Sequence, residues 1–371
     1  MVWLALAQVA TLGAGFVVWV HLGRVLGAER LGMVAFGMAL VSYFVLIVTL
    51  GFDAVAVRET ARNDAKEAEI LPLLLGARLA LAVGATAAFL GTTVALDLAP
   101  IYQSTVLVVG VLIAARAVQL DWVYHAREEM GVAALRNAGA ALVTVAVALA
   151  TVRSPDDVIW AAAALAAGPS VANLVLVAVY ARERGVPRPR FAPREWATLL
   201  APALPLAASG FVMQLYYNVD KLMLEGFRTT AEVGLYESGY KLYALAIAAA
   251  SVLYPAFFPA LSGAFGDGAA MRRAGERFGA ALLALGPPFA LAAAVYAPEL
   301  LALIFGMEFV PATPALRLLF VYAGLSYVNM TFGVPLMAWN DEKSYLRAAV
   351  AGAVANVVLN VALIPRFGSV G

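Results

Sequence analysis

The sequence has 371 residues, of which 63% are hydrophobic and 13% are charged, and its mean hydropathy is +0.86. Ordinary soluble domains carry about 25% charged residues, so this composition excludes a soluble globular protein. The net charge of +1 indicates neither a nucleic-acid-binding surface nor an acidic tail, and the absence of cysteine excludes disulfides and thiolate metal sites.

Apolar stretches of membrane-spanning length recur along the whole chain. A spanning helix needs about 20 predominantly apolar residues. The first stretch lacks a basic leading region and a cleavage site, so we interpret it as a retained helix. Together the stretches predict an all-α fold, a polytopic membrane helix bundle. Eleven are predicted, with approximate limits 2–21, 32–55, 71–95, 100–122, 131–151, 157–180, 197–222, 233–260, 276–297, 312–338 and 344–364.

Lys and Arg residues are concentrated in the even-numbered connections between these helices. Cytoplasmic loops of membrane proteins carry an excess of these residues. The distribution therefore predicts a multi-pass protein of the cell membrane with a cytoplasmic N-terminus. The basic segment Arg182–Arg194 follows from the same rule, although a contact with anionic lipid head groups would also explain it.

The long polar interruption after the sixth helix predicts a division into two lobes. We expect an N-terminal transmembrane lobe with its cytoplasmic connector at 1–190 and a C-terminal transmembrane lobe at 191–371. Each lobe would contain about six helices. Because eleven helices are predicted, we expect the C-terminal lobe to be truncated.

An internal repeat supports this division. Placing Gly32 on Gly234 also pairs Leu22 with Leu224. Both regions contain a helix exit, a short loop and a helix entry. Parallel repeats of this kind are one known plan of transporters, in which the substrate path lies between the repeats.

Several short segments follow one another in a distinctive order. They are GRVLGAERLG at Gly23–Gly32, GFD from Gly51, DKLML from Asp220, AEVGLY from Ala231, LYPAFFP from Leu253 and NVVLNVALIPRFG from Asn356. In order and spacing they resemble the polysaccharide biosynthesis and O-antigen flippase family, which shares a superfamily with MATE exporters and lipid II flippases. The resemblance covers almost the whole chain.

The resemblance implies that the protein moves a polyprenyl-diphosphate-linked oligosaccharide across the membrane for surface polysaccharide assembly. It further implies coupling to a proton or sodium gradient. We expect no other cofactor and no nucleic acid. Membrane lipid, a polysaccharide polymerase and glycosyltransferases are the expected partners.

Two arginines lie inside predicted helices, where charged side chains are costly and tend to mark function. Arg78 and Arg116 are each on the order of 10 Å from the predicted cytoplasmic end of their helix, at about 1.5 Å per residue. Such arginines can snorkel to the head groups. Alternatively, both line the inward mouth of a cavity and bind a diphosphate, whose oxygens suit the guanidinium fork.

A second cluster lies in the C-terminal half. Glu237 and Lys241 are four residues apart and share a helical face, and Tyr236 and Tyr240 lie on the neighbouring face. The cluster is either an interfacial aromatic belt with a local ion pair or a substrate-binding surface on which tyrosine rings stack against sugars. Arg317, near the outer end of the tenth helix, has the same two interpretations. In the binding hypothesis, Lys241 and Arg317 hold the anionic head after the conformational switch.

Two carboxylates, Asp220 and Glu237, are the candidates for coupling transport to an ion gradient. A multidrug or cation antiporter of the MATE type is the nearest alternative function, and it would be expected to expose acids rather than arginines. A membrane scaffold that recruits assembly enzymes without transporting is a further alternative. No nucleotide-binding motif or large polar loop occurs, so an enzyme is not expected.

Overall fold

The computed structural model describes residues 2–339 and 342–371. It describes their side chains as well, except at residues 2–7, 249–256, 337, 342–343 and 345–346. In this part of the chain all regular structure is helical and no strand occurs. The predicted all-α membrane bundle is confirmed. The α-helices are α1 Val2–Thr49, α2 Phe52–Arg62, α3 Glu67–Ala95, α4 Pro100–Val109, α5 Val111–Ala117, α6 Asp121–Ala126, α7 Met130–Thr151, α8 Val158–Arg184, α9 Pro193–Phe227, α10 Thr230–Gly263, α11 Gly268–Val295, α12 Ala297–Ile304, α13 Thr313–Ala338 and α14 Glu342–Phe367. Short 3₁₀ helices occur at Asp64–Lys66, Pro155–Asp157, Met307–Ala312 and Gly368–Val370.

Nine stretches of the described residues are long and apolar enough to cross a membrane. The first, Gln8–Arg62, contains the second predicted span, 32–55, and residues 8–21 of the first. The predicted connection at 22–31 is shorter than expected, because two helical segments of α1 meet at a single non-helical residue, Gly27. This residue has φ 77°, a conformation that glycine adopts without a steric penalty, so it bends the helix and leaves the flanking residues helical.

The predicted fourth helix, 100–122, is also divided. It consists of α4 and α5, which meet at Gly110, and it ends at Ala117. A non-helical segment then leads into α6, which the sequence did not predict. Because Gly110 packs against Phe89, where an added Cβ would lie 2.6 Å from the ring, a larger residue would not fit at this junction.

The chain forms two compact units. Unit 1 comprises Met1–Leu26 and Met33–Leu222, and unit 2 comprises Gly27–Gly32 and Met223–Gly371. Most of α9 therefore packs with unit 1, although it follows the basic segment in sequence.

The core of unit 1 is an apolar cluster contributed by α2, α3, α6, α8 and α9. Trp122 and Tyr124 of α6 are fully buried in it. Beside the cluster, Arg127 donates two hydrogen bonds to Glu67, at 2.9 and 2.6 Å, and Tyr180 donates a third to the same carboxylate at 3.1 Å. This network joins the start of α3 to the end of α8.

Unit 2 contains a close backbone contact between the second part of α1 and the start of α10. A Cβ added at Gly32 would lie 1.9 Å from the carbonyl oxygen of Thr230, and one added at Gly234 would lie 1.8 Å from that of Ala28. The two contacts are equivalent in the internal repeat, because Ala28 aligns with Thr230 when Gly32 is placed on Gly234. Each glycine therefore contacts the matching carbonyl group of the other repeat. Glycine is required at both positions for the helices to approach this closely.

Candidate functional site

The first acidic residue of the candidate site follows a tight turn between α1 and α2. Leu50 and Gly51 both have positive φ, 39° and 73°. A side chain at Gly51 would also collide with α9, since a Cβ there would lie 2.8 Å from Leu206. The turn places Asp53 in the first turn of α2, where the helix dipole stabilises a carboxylate.

Asp53 contacts two arginines from different helices. Arg78 of α3 donates a hydrogen bond from Nη2 to Oδ1 of Asp53, and Nη2 of Arg116 from α5 lies 3.6 Å from Oδ2. Arg78 also donates from Nη1 to the carbonyl oxygen of Gln119 at 3.0 Å, which is accessible because α5 has ended at Ala117. Arg78 is only 1% exposed, so it does not snorkel to a membrane surface.

A second ion pair lies next to the first. Nη1 of Arg136, on α7, is 3.2 Å from Oδ2 of Asp121, the first residue of α6. Gln119 connects the two pairs, because its Oε1 accepts a hydrogen bond from Arg116 and its Nε2 donates one to Oδ2 of Asp121. Arg136 also donates to the side chain of Asn173 on α8.

Four of these residues, Arg116, Gln119, Arg136 and Asn173, line a cavity of about 440 Å³ in unit 1. Its polar lining consists of the guanidinium groups of Arg116 and Arg136 together with amide and hydroxyl side chains. Such a volume lies in the range typical of small-molecule sites. The lining residues are Met38, Val41, Ser42, Val45, Leu46, Thr49, Leu112, Ala115, Arg116, Gln119, Arg136, Pro169, Asn173 and Gln214.

The structure brings the two predicted arginines of the N-terminal half together, but it gives them different positions. Arg116 lines the cavity, whereas Arg78 lies behind it and contacts Asp53 and Gln119. A buried arginine that is paired and hydrogen-bonded in this way is suited to supporting the site rather than to touching a ligand.

The predicted cluster in unit 2 is formed mainly by α10. Oε1 of Glu237 lies 2.8 Å from Nζ of Lys241, and the Glu237 side chain is 2% exposed. The ring centroids of Tyr236 and Tyr240 are 6.1 Å apart. The row continues through Tyr243, which is 5.6 Å from Tyr240 and stacks on Tyr322 of α13 at 5.5 Å.

Asp220 and Arg317 are the remaining predicted residues. Asp220 was expected to end a helix, but α9 continues to Phe227. Asp220 accepts a hydrogen bond at Oδ1 from the backbone N–H of Lys221 at 2.9 Å. Arg317 donates from Nε to the carbonyl oxygen of Ala294 at 3.3 Å, near the C-terminus of α11, where a cation interacts favourably with the helix dipole.

Comparison with known proteins identifies the family. The sequence matches the family described as "Polysaccharide biosynthesis protein" over residues 1–265. The chain belongs to the polysaccharide biosynthesis protein family. It is also 28% identical over 159 residues, 42% of the chain, to the "Probable low-salt glycan biosynthesis flippase Agl15" of Haloferax volcanii, and the match spans 34% of that relative.

Several solved structures share the fold of the present chain. It is similar to "Lipid II flippase MurJ, inward closed conformation", with a TM-score of 0.83, 10% identity, and coverage of 100% of this chain and 83% of that one. An inward-facing multidrug resistance MATE family transporter of the MOP superfamily gives a TM-score of 0.73 at 14% identity, covering 97% of this chain and 88% of that one. The chain therefore has the fold of MOP-superfamily flippases and exporters.

Sequence reasoning missed several members of the site in this polysaccharide biosynthesis protein. Asp121 falls at the end of the predicted fourth helix, and Arg136 near the start of the fifth was counted only as a basic residue near a connection. Gln119 and Asn173 have no distinguishing local pattern. The one available signal was the short polar run around Asp121, which interrupts an otherwise apolar region. No group of three His, Asp or Glu that could hold a metal occurs among the described residues.

Proposed function

We propose that this protein translocates a polyprenyl-diphosphate-linked oligosaccharide across the cell membrane for surface polysaccharide assembly. The observation that carries the proposal is the pair of guanidinium groups, Arg116 and Arg136, on the lining of one cavity. Guanidinium groups bind phosphate oxygens in pairs through a planar fork. Family membership and the flippase named among the relatives support the same substrate class.

In this proposal, the cavity of unit 1 binds the anionic head while the lipid tail stays in the bilayer. Asp53, which is held by Arg78, contacts Arg116 from behind, and the amide group of Gln214 offers hydrogen bonds to the first sugar. The proposal also takes the N-terminus as cytoplasmic, with the head entering from the cytoplasmic side.

The residues of unit 2 keep the roles expected from the sequence, as proposals. Lys241 and Arg317 would bind the anionic head after the switch, and Tyr236 and Tyr240 would stack against the glycan. Glu237, which is buried beside Lys241, and Asp220 are the proposed carboxylates for coupling to a proton or sodium gradient.

A cation exporter is the alternative with the closest fold. An organic cation would need carboxylates on the cavity surface. The described residues that line the cavity include two arginines and no acid, which favours an anionic ligand.

The proposal is tested with the chain in proteoliposomes that contain a fluorescent short-chain polyprenyl-diphosphate oligosaccharide. Arg116→Gln with Arg136→Gln should lower the affinity for this lipid about hundredfold, because two charge-assisted contacts are lost, and should abolish transfer. The matched control, Arg272→Gln with Arg273→Gln, removes the same charge from exposed positions of α11 and should transfer normally.

Three results would contradict the proposal. Undiminished transfer by the cavity variant would show that these arginines do not hold the head. Transfer of organic cations, without transfer of the lipid, would support the exporter instead. A scaffold would bind and transfer neither ligand, and the cavity variant would then behave like the unmodified chain.

A further inference from the structure

The two arginines of the cavity belong to a ring of polar contacts, which consists of hydrogen bonds and one ion pair and closes through the peptide link between Ala115 and Arg116. From Arg116 the ring passes through Gln119 and Asp121 to Arg136. It returns through Asn173, whose Nδ2 donates to the carbonyl oxygen of Ala115 at 2.8 Å, next to Arg116 in the chain. The groups that form the ring belong to helices α5, α6, α7 and α8 and to the segment between α5 and α6.

Gln119 and Asp121 form the shorter side of the ring. Gln119 uses both ends of its amide, accepting from one arginine and donating toward the carboxylate that binds the other. Oδ2 of Asp121 accepts the hydrogen bond from Gln119 and also forms the ion pair with Arg136. On this side of the ring, one amide and one carboxylate therefore link the two guanidinium groups.

The environment strengthens these links. Gln119 is 7% exposed, and the side chains of Arg136 and Asp121 are 13% and 14% exposed. At such low exposure, hydrogen bonds are stronger than in water and side-chain networks hold a defined geometry. Two guanidinium groups would otherwise repel each other, and the Asp121 carboxylate offsets this repulsion.

We propose that Gln119 and Asp121 are positioning residues that hold Arg116 and Arg136 as two separate phosphate-binding groups, so that the cavity selects a diphosphate over a monophosphate. The inference rests on the proposed function, because it assumes that these arginines bind the lipid head. One guanidinium fork satisfies a single phosphate. The second fork adds affinity only when a second phosphate is present at the distance that the ring maintains.

The test measures binding of two probes, a short-chain polyprenyl diphosphate and the matching polyprenyl monophosphate, to the full chain in detergent. Gln119→Glu keeps the acceptor for Arg116 but cannot donate to Asp121, which it also repels. Asp121→Asn keeps the shape and removes the charge that holds Arg136. Each variant should reduce the preference for the diphosphate about tenfold, with monophosphate affinity nearly unchanged.

The matched control is Asn137→Ala. Asn137 accepts a hydrogen bond from Arg136 at 2.7 Å but lies outside the ring, so its removal should leave the preference intact. If one ring variant does not fold, the other still carries the test, since each breaks a different link.

The outcomes separate this inference from the function on which it rests. Equal changes in the diphosphate and monophosphate affinities would overturn the positioning role. A general loss of structure would lower both affinities. A purely Coulombic role of Asp121 would raise both affinities in Asp121→Asn. If Arg116→Gln with Arg136→Gln binds both probes as well as the unmodified chain, the proposed function fails and this inference fails with it. If that variant loses binding while the ring variants keep the preference, only the positioning role is wrong.

Discussion

The charged groups of the two compact units are assembled in different ways. In unit 1, Asp53, Arg78, Arg116, Asp121 and Arg136 come from five helices, α2, α3, α5, α6 and α7. In unit 2, the ion pair of Glu237 with Lys241 forms within one helix, between residues four apart. A network that depends on several helices is sensitive to their packing, whereas a pair on one helix persists wherever that helix forms.

The comparison predicts the largest loss of stability in unit 1. Asp53→Ala should destabilise the protein by about 3–5 kcal/mol, because it leaves the buried guanidinium of Arg78 without its carboxylate. The measurement is the free energy of unfolding in mixed micelles. Adding Arg78→Met should recover much of the loss, since the uncompensated charge is then removed.

A surface pair serves as the control for this prediction. Glu276 lies 3.5 Å from Arg272, and both side chains are mostly exposed. Glu276→Ala should therefore cost less than about 1 kcal/mol. An effect of Asp53→Ala as small as this would mean that the arginine cluster does not depend on its acid.

An intermediate effect is expected where α1 meets α10 in unit 2. Gly234→Ala should cost about 1–3 kcal/mol, because the added methyl group would overlap the carbonyl oxygen of Ala28 and force the helices apart. The reciprocal contact predicts a similar loss for Gly32→Ala. Gly352→Ala is the control, because Gly352 is a helical position with open space around it, and this change should not destabilise the protein. Equal unfolding free energies for Gly234→Ala and Gly352→Ala would contradict the close contact.

The smallest effect is expected in the tyrosine row of unit 2. Tyr322→Leu should lower the free energy of unfolding by about 1 kcal/mol, since the stack on Tyr243 is lost. Tyr322→Phe keeps the ring and should retain most of this stability. If the leucine and phenylalanine variants unfold alike, the stacking of the rings contributes nothing measurable.

Local interactions were the ones that the sequence made predictable. The pair of Glu237 with Lys241 and the approach of Tyr236 to Tyr240 follow from helical periodicity, because residues three or four apart share a face. The bend at Gly27 was missed, since a helix that continues through one glycine and a helix that ends there have the same local composition. The alignment of Gly32 with Gly234 was visible in sequence, but their direct contact was not.

The sequence by itself determined the all-α membrane fold, because each spanning helix must satisfy its backbone hydrogen bonds within its own apolar segment. It also contained the short segments that indicate the polysaccharide biosynthesis family. Tertiary structure alone decided which charges form the candidate site. Asp53 and Arg136 lie near the ends of two different predicted helices, and only the packing of helices distant in the chain brings them to Arg78, Arg116 and Asp121. Since pairing in a buried site depends on distances between helices, no local pattern could specify it.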